Sequence, residues 1–331
     1  MVETLAGFRY EASGEQYFNF MFPLAFGNLK RLFRGSYDKD VELQRRAQDS
    51  LWDQFAGLSS AVAYLHDSIQ MAHRDIKPSN ILIYETPSPE GGLILKLTDF
   101  GLSIDLSKAL TWEVGSRALQ SAWQYDSPES RRASPSVGTK IPIGERFHVP
   151  SATDLLANDI WKLGSVFTEM VAFLVCGGST GVADFRDHIT TTEGKISSDM
   201  FNDTRFDDGE KVKAQVLEWL DLMACRDTRA RQLQPILCQM LAKSAERPTI
   251  REVCEELIKI DFPNIRYDDG FRIANFIPAD QMNPHSRIER LQLSIEEWIG
   301  RRVDWWPLPP PRPKLRPDQF LMTWEVSLQN D

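Results

Sequence analysis

The sequence predicts an α+β fold that is mainly helical, with one short β-hairpin set among its helices. Apolar residues recur at helical spacing in five stretches after residue 50, whereas two short strand-like runs, Ile81 to Tyr84 and Leu93 to Leu97, flank the turn-rich segment ETPSPEGG. Composition allows such a fold. Apolar residues at 42% and charged residues at 26% exclude collagen-like, disulfide-scaffold and wholly disordered chains. At roughly 150 residues per domain, 331 residues suffice for two domains or for one domain with long appendages.

Each element follows from its pattern. Tyr17 to Leu24 is aromatic-rich and stopped by Pro23, which predicts a strand running into a bend. Leu51, Phe55, Leu58, Val62 and Leu65 lie on one helical face, and Ser50 with Asp53 resembles a capping box at its start. The hairpin at 81 to 97 follows. Residues 102 to 153 lack sustained periodicity and read as one extended segment, partly mobile. Leu155 to Val175 reads as a buried core helix capped by Gly177-Gly178. A polar stretch from Asp184 to Gly209 precedes helices at Glu210 to Cys225, Arg231 to Ala242 and Thr249 to Ile260, the last opened by a Thr249/Glu252 capping box. Beyond Phe262 the pattern weakens to a possible helix at Ile288 to Ile299 and a Pro-rich tail at 305 to 317.

Several function classes drop out. A net charge of −9 and a pI near 5.2 argue against a nucleic-acid partner held on a broad basic face. Cys176, Cys225, Cys238 and Cys254 form no C-x-x-C pair, so they read as thiols buried in helices of a reducing compartment, not as a zinc or redox site. No leader pattern opens the chain and no run approaches a membrane span, which predicts an intracellular protein, cytoplasmic or nuclear.

The chemistry concentrates in one stretch. His73-Arg74-Asp75-Ile76-Lys77-Pro78-Ser79-Asn80 lies between a helix and a strand, and Asp99-Phe100-Gly101 follows at the end of the hairpin. Together these resemble the catalytic-loop and metal-loop signatures of eukaryotic-type protein kinases. Later landmarks of that family appear in order: Ser127-Pro128-Glu129, Asp159-x-Trp161-x-x-Gly164, and Arg247 in Glu-Arg-Pro-Thr. The resemblance covers residues 17 to about 260. It implies a protein-kinase-like large helical lobe with the hairpin at its catalytic cleft, acting on a protein substrate with ATP and Mg²⁺.

By that resemblance Asp75 orients the acceptor hydroxyl or takes its proton, and Asn80 and Asp99 are the Mg²⁺ ligands, hard oxygen donors that suit the ion. Lys77 is similar to the lysine that meets the transferred phosphate in Ser/Thr kinases. Met21, Phe22 and Leu24 resemble the adenine-facing hinge, with Met21 as gatekeeper, and Leu82 the floor of that pocket. Asp159 resembles the core-helix carboxylate that accepts backbone N–H groups of the catalytic loop, and Glu129 with Arg247 a buried structural pair. Arg74 resembles the arginine that pairs with a phosphorylated activation segment, for which Ser103, Ser107, Thr111 and Ser116 are candidate acceptors or plain loop hydroxyls. Ala122 stands where the family has a bridging Thr, with Ser121 one position off; Tyr125 matches its expected place.

The small lobe of such a kinase is largely missing from the reading. Before His73, no Gly-rich loop can be written, and the only lysines, Lys30 and Lys39, follow the hinge. The expectation is a small-lobe and hinge remnant at 1–27, a large lobe at 28–262 and a C-terminal extension at 263–331. The strand around Tyr17, Phe18, Phe20 and Phe22 would lack sheet neighbours, and ATP binding and transfer by this truncated chain would be weak. A pseudokinase serving as a scaffold or binding module is the alternative, and a small-molecule kinase of the aminoglycoside or choline type a more distant one. Pro307-x-x-Pro310-x-Arg312 fits an SH3-type partner or packs back on the lobe. Arg131-Arg132-Ala133-Ser134 resembles a basophilic phosphorylation site.

Overall fold

The computed structural model describes residues 6–12, 15–86, 92–107, 124–133, 150–190 and 204–260. The C-terminal extension, the Pro-rich segment, Thr111, Ser116, Ser121, Ala122 and Ser134 lie outside them.

Strands β1 (Ala6–Ala12) and β2 (Glu15–Met21) pair antiparallel, with Ala12 opposite Glu15 and Ala6 opposite Met21. The strand carrying Tyr17, Phe18 and Phe20 therefore has a sheet neighbour, contrary to expectation. The signal was present in the alternation Phe8-Arg9-Tyr10-Glu11 and the turn pair Ser13-Gly14. This hairpin belongs to a unit separate from the helical body, whose described residues run from Leu24 to Ile260.

The helical body opens with β3 (Gly27–Asn28), which joins β5 (Ile81–Glu85) and β6 (Leu93–Leu97) in a three-stranded antiparallel sheet of order β3-β5-β6. The Asn28 carboxamide caps the short α1 (Leu29–Phe33) by accepting from Arg31 N–H. Then come α2 (Val41–Ser50), α3 (Gln54–Ala63) and a π-type turn, Tyr64–Ile69. The helix expected to start at Leu51 thus begins at Gln54, after a turn that closes α2, a helix not expected from the sequence. Ser50 ends α2, its hydroxyl donating to Arg46 O at 2.6 Å and accepting from Leu93 N–H at 3.0 Å, and Asp53 makes no capping bond. Leu51 and Phe55 stay on one apolar face across the break because both are wholly buried in the main core.

Strand β4 (Met71–Ala72) pairs with β7 (Ile104–Asp105), so the residues before His73 are zipped to those after Asp99-Phe100-Gly101. Within the stretch expected to be irregular, α4 (Pro128–Ala133) forms, and Arg131 on it is paired with the buried Asp207.

The centre is α5 (Ala152–Val175), opened by a Ser151/Asp154 capping box and buried on nearly every side. It ends at Gly177 and Gly178, both at positive φ (+83° and +80°), where Gly178 N–H closes on Phe173 O at 2.8 Å. Helix α6 (Ser179–Thr190) occupies the start of what reads as a polar stretch; Val182, Phe185 and Ile189, at spacing 3 and 4, bury one face. Helices α7 (Ala214–Arg226), α8 (Thr228–Met240) and α9 (Ile250–Lys259) complete the body, the last with the expected Thr249/Glu252 capping box. Of the four thiols, Cys254 alone is buried and Cys225 is exposed, because it falls on the solvent side of α7. Among the described residues no helix is long and apolar enough to cross a membrane.

Candidate active site

The catalytic loop is held from below by one carboxylate. Asp159, wholly buried on α5, accepts His73 N–H and Arg74 N–H at 2.7 Å each and faces His66 Nε2 at 3.0 Å. Burial opposes its charge, but the bond from the His66 ring, the largest opposing influence, and that from Arg74 N–H hold the carboxyl below its ordinary range. Two backbone donors that no helix or sheet could satisfy are thereby paired.

His73 is fully buried and its ring links two motifs. Nδ1 accepts from Asp75 N–H at 3.2 Å, so Nε2 carries the proton that meets Thr98 O at 3.0 Å. Burial pushes its pKa down, in agreement with this neutral tautomer. The Phe100 ring packs on it at 5.0 Å between centroids. Arg74, at φ +70°, is buried and donates to Leu102 O at 3.0 Å; burial lowers its pKa, with Asp159 opposing. Ser103 donates to His73 O at 3.3 Å and Ser107 to Asp105, so both candidate acceptors are engaged in local bonds.

Asp75 is 5% exposed. Its Oδ2 accepts from Asn80 Nδ2 and from Lys77 Nζ, each at 2.8 Å, while Asn80 Nδ2 also reaches Asp75 O at 2.9 Å. Asp75 Oδ1 is buried and has no hydrogen-bond partner. The 3₁₀ turn Pro78–Asn80 places Asn80 beside this carboxylate, and Thr98 N–H donates to Asn80 O at 3.0 Å, which ties the start of the Asp99-Phe100-Gly101 loop to Asn80. Asp99 is exposed, sits at φ +65° and accepts Gly101 N–H at 3.2 Å through Oδ1. Asp75, Lys77 and Asn80 are thus brought together, with Asp99 one backbone bond away.

The four adenine-pocket candidates divide. Met21 and Phe22 fall in the hairpin unit, at 54% and 46% exposure. Leu24 and Leu82 fall in the helical body, Leu24 exposed and Leu82 half-buried, on the strand face opposite the wholly buried Ile81 and Ile83.

Beyond Gln124 the expected pair is made, buried on one side only: the half-buried Glu129 meets Arg247, whose side chain is buried and also donates to Ala157 O at 3.1 Å. Tyr125, in its expected place, donates to Glu169 Oε2 at 2.9 Å, and Arg186 donates to Glu169 Oε1 at 2.9 Å. Burial and the Glu169 charge push the Tyr125 hydroxyl well above its ordinary pKa, and Glu169 raises that of Arg186. Lys162 pairs with Asp126, both buried, and Asn158 accepts Ser127 N–H at 3.0 Å. Sequence reasoning missed His66, Asn158, Lys162, Glu169 and Arg186. Charged residues inside an apolar helix were the available sign, since such groups are buried only when paired.

The protein kinase domain pattern matches residues 15–257. Serine/threonine-protein kinase ppk23 of Schizosaccharomyces pombe is 32% identical over 117 residues, covering 34% of this chain and 22% of that protein. Rat serine/threonine-protein kinase DCLK1 is 54% identical over 46 residues, 14% of this chain and 10% of its own length. Serine/threonine-protein kinase hal4 of Schizosaccharomyces pombe is 24% identical over 208 residues, 63% of this chain and 25% of its own. The chain thus aligns with about a quarter or less of each of these relatives. With the catalytic-loop geometry and a match spanning most of its length, the chain belongs to the protein kinase family.

Proposed function

We propose that this chain is the large-lobe part of a Ser/Thr protein kinase, transferring the γ-phosphoryl group of ATP to serine or threonine hydroxyls of a protein substrate. The observation that carries the reading is Asp75: one carboxylate oxygen is fixed by Asn80 and Lys77, and the other, buried, has no partner. A buried acceptor left open calls for a donor, and the hydroxyl of a substrate serine or threonine is one. Asp75 Oδ1 orients that hydroxyl and accepts its proton as the oxygen attacks. Lys77, shared with Oδ2, puts a cation beside the acceptor where anionic charge develops.

The donor set also suits Mg²⁺. Asn80 spends its amide nitrogen on Asp75, which leaves Oδ1 for a cation, and the exposed Asp99 carboxylate is a second hard oxygen donor. Among the described residues no group of three or more His, Cys, Asp or Glu is placed to hold a metal; two protein ligands accord with an ion that takes its remaining ligands from phosphate and water. When bound, Mg²⁺ neutralises phosphate oxygens of ATP. Leu24, Leu82, Met21 and Phe22 are the proposed adenine contacts.

In the 331-residue chain by itself no lysine precedes Met21 to pair with the α and β phosphates. Transfer by the chain alone is therefore expected below the roughly 1 to 100 per second of ordinary kinases. The test is ³²P transfer from ATP to a serine peptide with Mg²⁺, alongside Asp75→Asn. The variant is expected to lose about 10²-fold or more; equal rates would overturn the assignment. A nucleotide-dependent melting shift in the native chain, with no transfer from it at any peptide concentration, would favour the pseudokinase reading instead.

A further inference from the structure

A cavity of about 250 Å³ lies within the helical body beside the catalytic loop, and four cationic side chains line it: Lys30, Arg34, Lys77 and Arg186. No carboxylate is among its lining residues. The cations come from three separate places. Lys30 on α1 and Arg34 at its C-terminal cap stand four residues apart, on one face of the turn, with Arg34 N–H bonded to Lys30 O at 3.0 Å. Lys77 comes from the catalytic loop and Arg186 from α6. Lys77 has Asp75 and Arg186 has Glu169 as carboxylate partners, and the exposed Arg34 adds its charge to those pairs. A concentration of positive charge in a molecule of net charge −9 is a local field set against the whole.

We infer that this pocket recognises an anionic side chain of the protein substrate, a carboxylate or a phosphoryl group within a few residues of the acceptor hydroxyl. The inference rests on the kinase reading and gives it a substrate class. Position selects the acceptor side of the site. Ser79, Gln124 and Tyr125 line the cavity, whereas neither Asn80 nor Asp99 does, so it is distinct from the proposed metal pair. The Lys77–Asp75 contact of 2.8 Å ties it directly to the catalytic carboxylate. Size points the same way, because pockets for whole small-molecule ligands run from about 300 to 1,000 Å³ and this one admits a single side chain. Two guanidinium groups and two ammonium groups can meet either anion, by forked or by point contacts.

The full chain would be titrated by fluorescence anisotropy with three serine peptides that differ only in the residues flanking the acceptor: aspartates, phosphoserines or arginines. The two anionic peptides are expected to bind about tenfold or more tightly than the arginine peptide at low salt, with the advantage shrinking as salt rises. Lys30→Glu/Arg34→Glu is expected to reverse the order, and Arg34→Gln, at an exposed position, to weaken it if the double variant unfolds. A phosphoserine peptide that exceeds the aspartate peptide identifies a phosphoryl group as the ligand; equal binding identifies the carboxylate as sufficient. Equal binding of all three peptides, or an order unchanged in the folded variants, overturns the inference. Transfer from ATP, measured on the same peptides, separates the two readings. Anionic preference without transfer sinks the kinase assignment alone, and transfer without preference sinks the pocket alone.

Discussion

His73 must be neutral to do what the structure has it do. Its Nδ1 accepts from Asp75 N–H, and a second proton would replace that bond with a clash of donors. Burial lowers its folded-state pKa beneath the ordinary 6.5. The unfolded chain therefore binds a proton that the folded chain resists, and the contribution is present above pH 6.5 and lost as the pH falls through the folded value. Stability is expected to decline on acidification below about pH 6.5, and a His73→Asn variant should have a flatter melting profile between about pH 5 and 7. Asp159 carries a heavier load. It satisfies two backbone donors and the His66 ring in a wholly buried position, so Asp159→Ala should cost about 3 to 5 kcal/mol, read from denaturant unfolding. A loss below about 1 kcal/mol would show that the loop finds other acceptors.

At the scale of elements, the join between α5 and α6 is closed by backbone packed against backbone. A Cβ at Gly181 would land 2.5 Å from Cys176 Cβ and closer still to Ala172 O, which is backbone and cannot rotate away. Gly181→Ala is expected to destabilise by about 1 to 3 kcal/mol or more, whereas Gly57→Ala, whose Cβ would meet nothing nearer than 3.6 Å, should be neutral or slightly stabilising. Parallel thermal melts distinguish them. This join was illegible in the sequence, since α6 shows only three apolar anchors among Asp184, Arg186 and Asp187 and its opening Ser-Thr-Gly reads as loop. Helix α5 and the hairpin β5–β6 were legible because each carries a long, one-period pattern. The α2–α3 break was not, because Leu51 continues the apolar spacing straight through the turn. The two motifs of the candidate site stood out in the sequence, whereas the partners around them did not: Glu169 showed only as a charge inside an apolar helix, and nothing local tied His66 to Asp159, Asn158 to Ser127 or Glu169 to Tyr125.

For the whole molecule, the main core is one cluster that runs from Leu29 to Ile260 among the described residues. The helical signal of the full chain is accordingly expected to disappear in one cooperative transition, with far-ultraviolet circular dichroism and tryptophan fluorescence giving coincident midpoints. Separate midpoints would divide the helical body into independent parts. The cooperativity bears on how variants of the site are read, since a local change that strains the backbone registers everywhere. Asp99 makes this concrete. Its left-handed backbone, φ +65°, is one that aspartate and asparagine tolerate and that most other side chains resist. Alanine at that position would remove a carboxylate and impose a conformational penalty at once, so lost activity could not be assigned to either. Asparagine keeps the backbone preference and removes only the charge, so loss of the Asp99 carboxylate is separated from loss of loop geometry only when both substitutions are made.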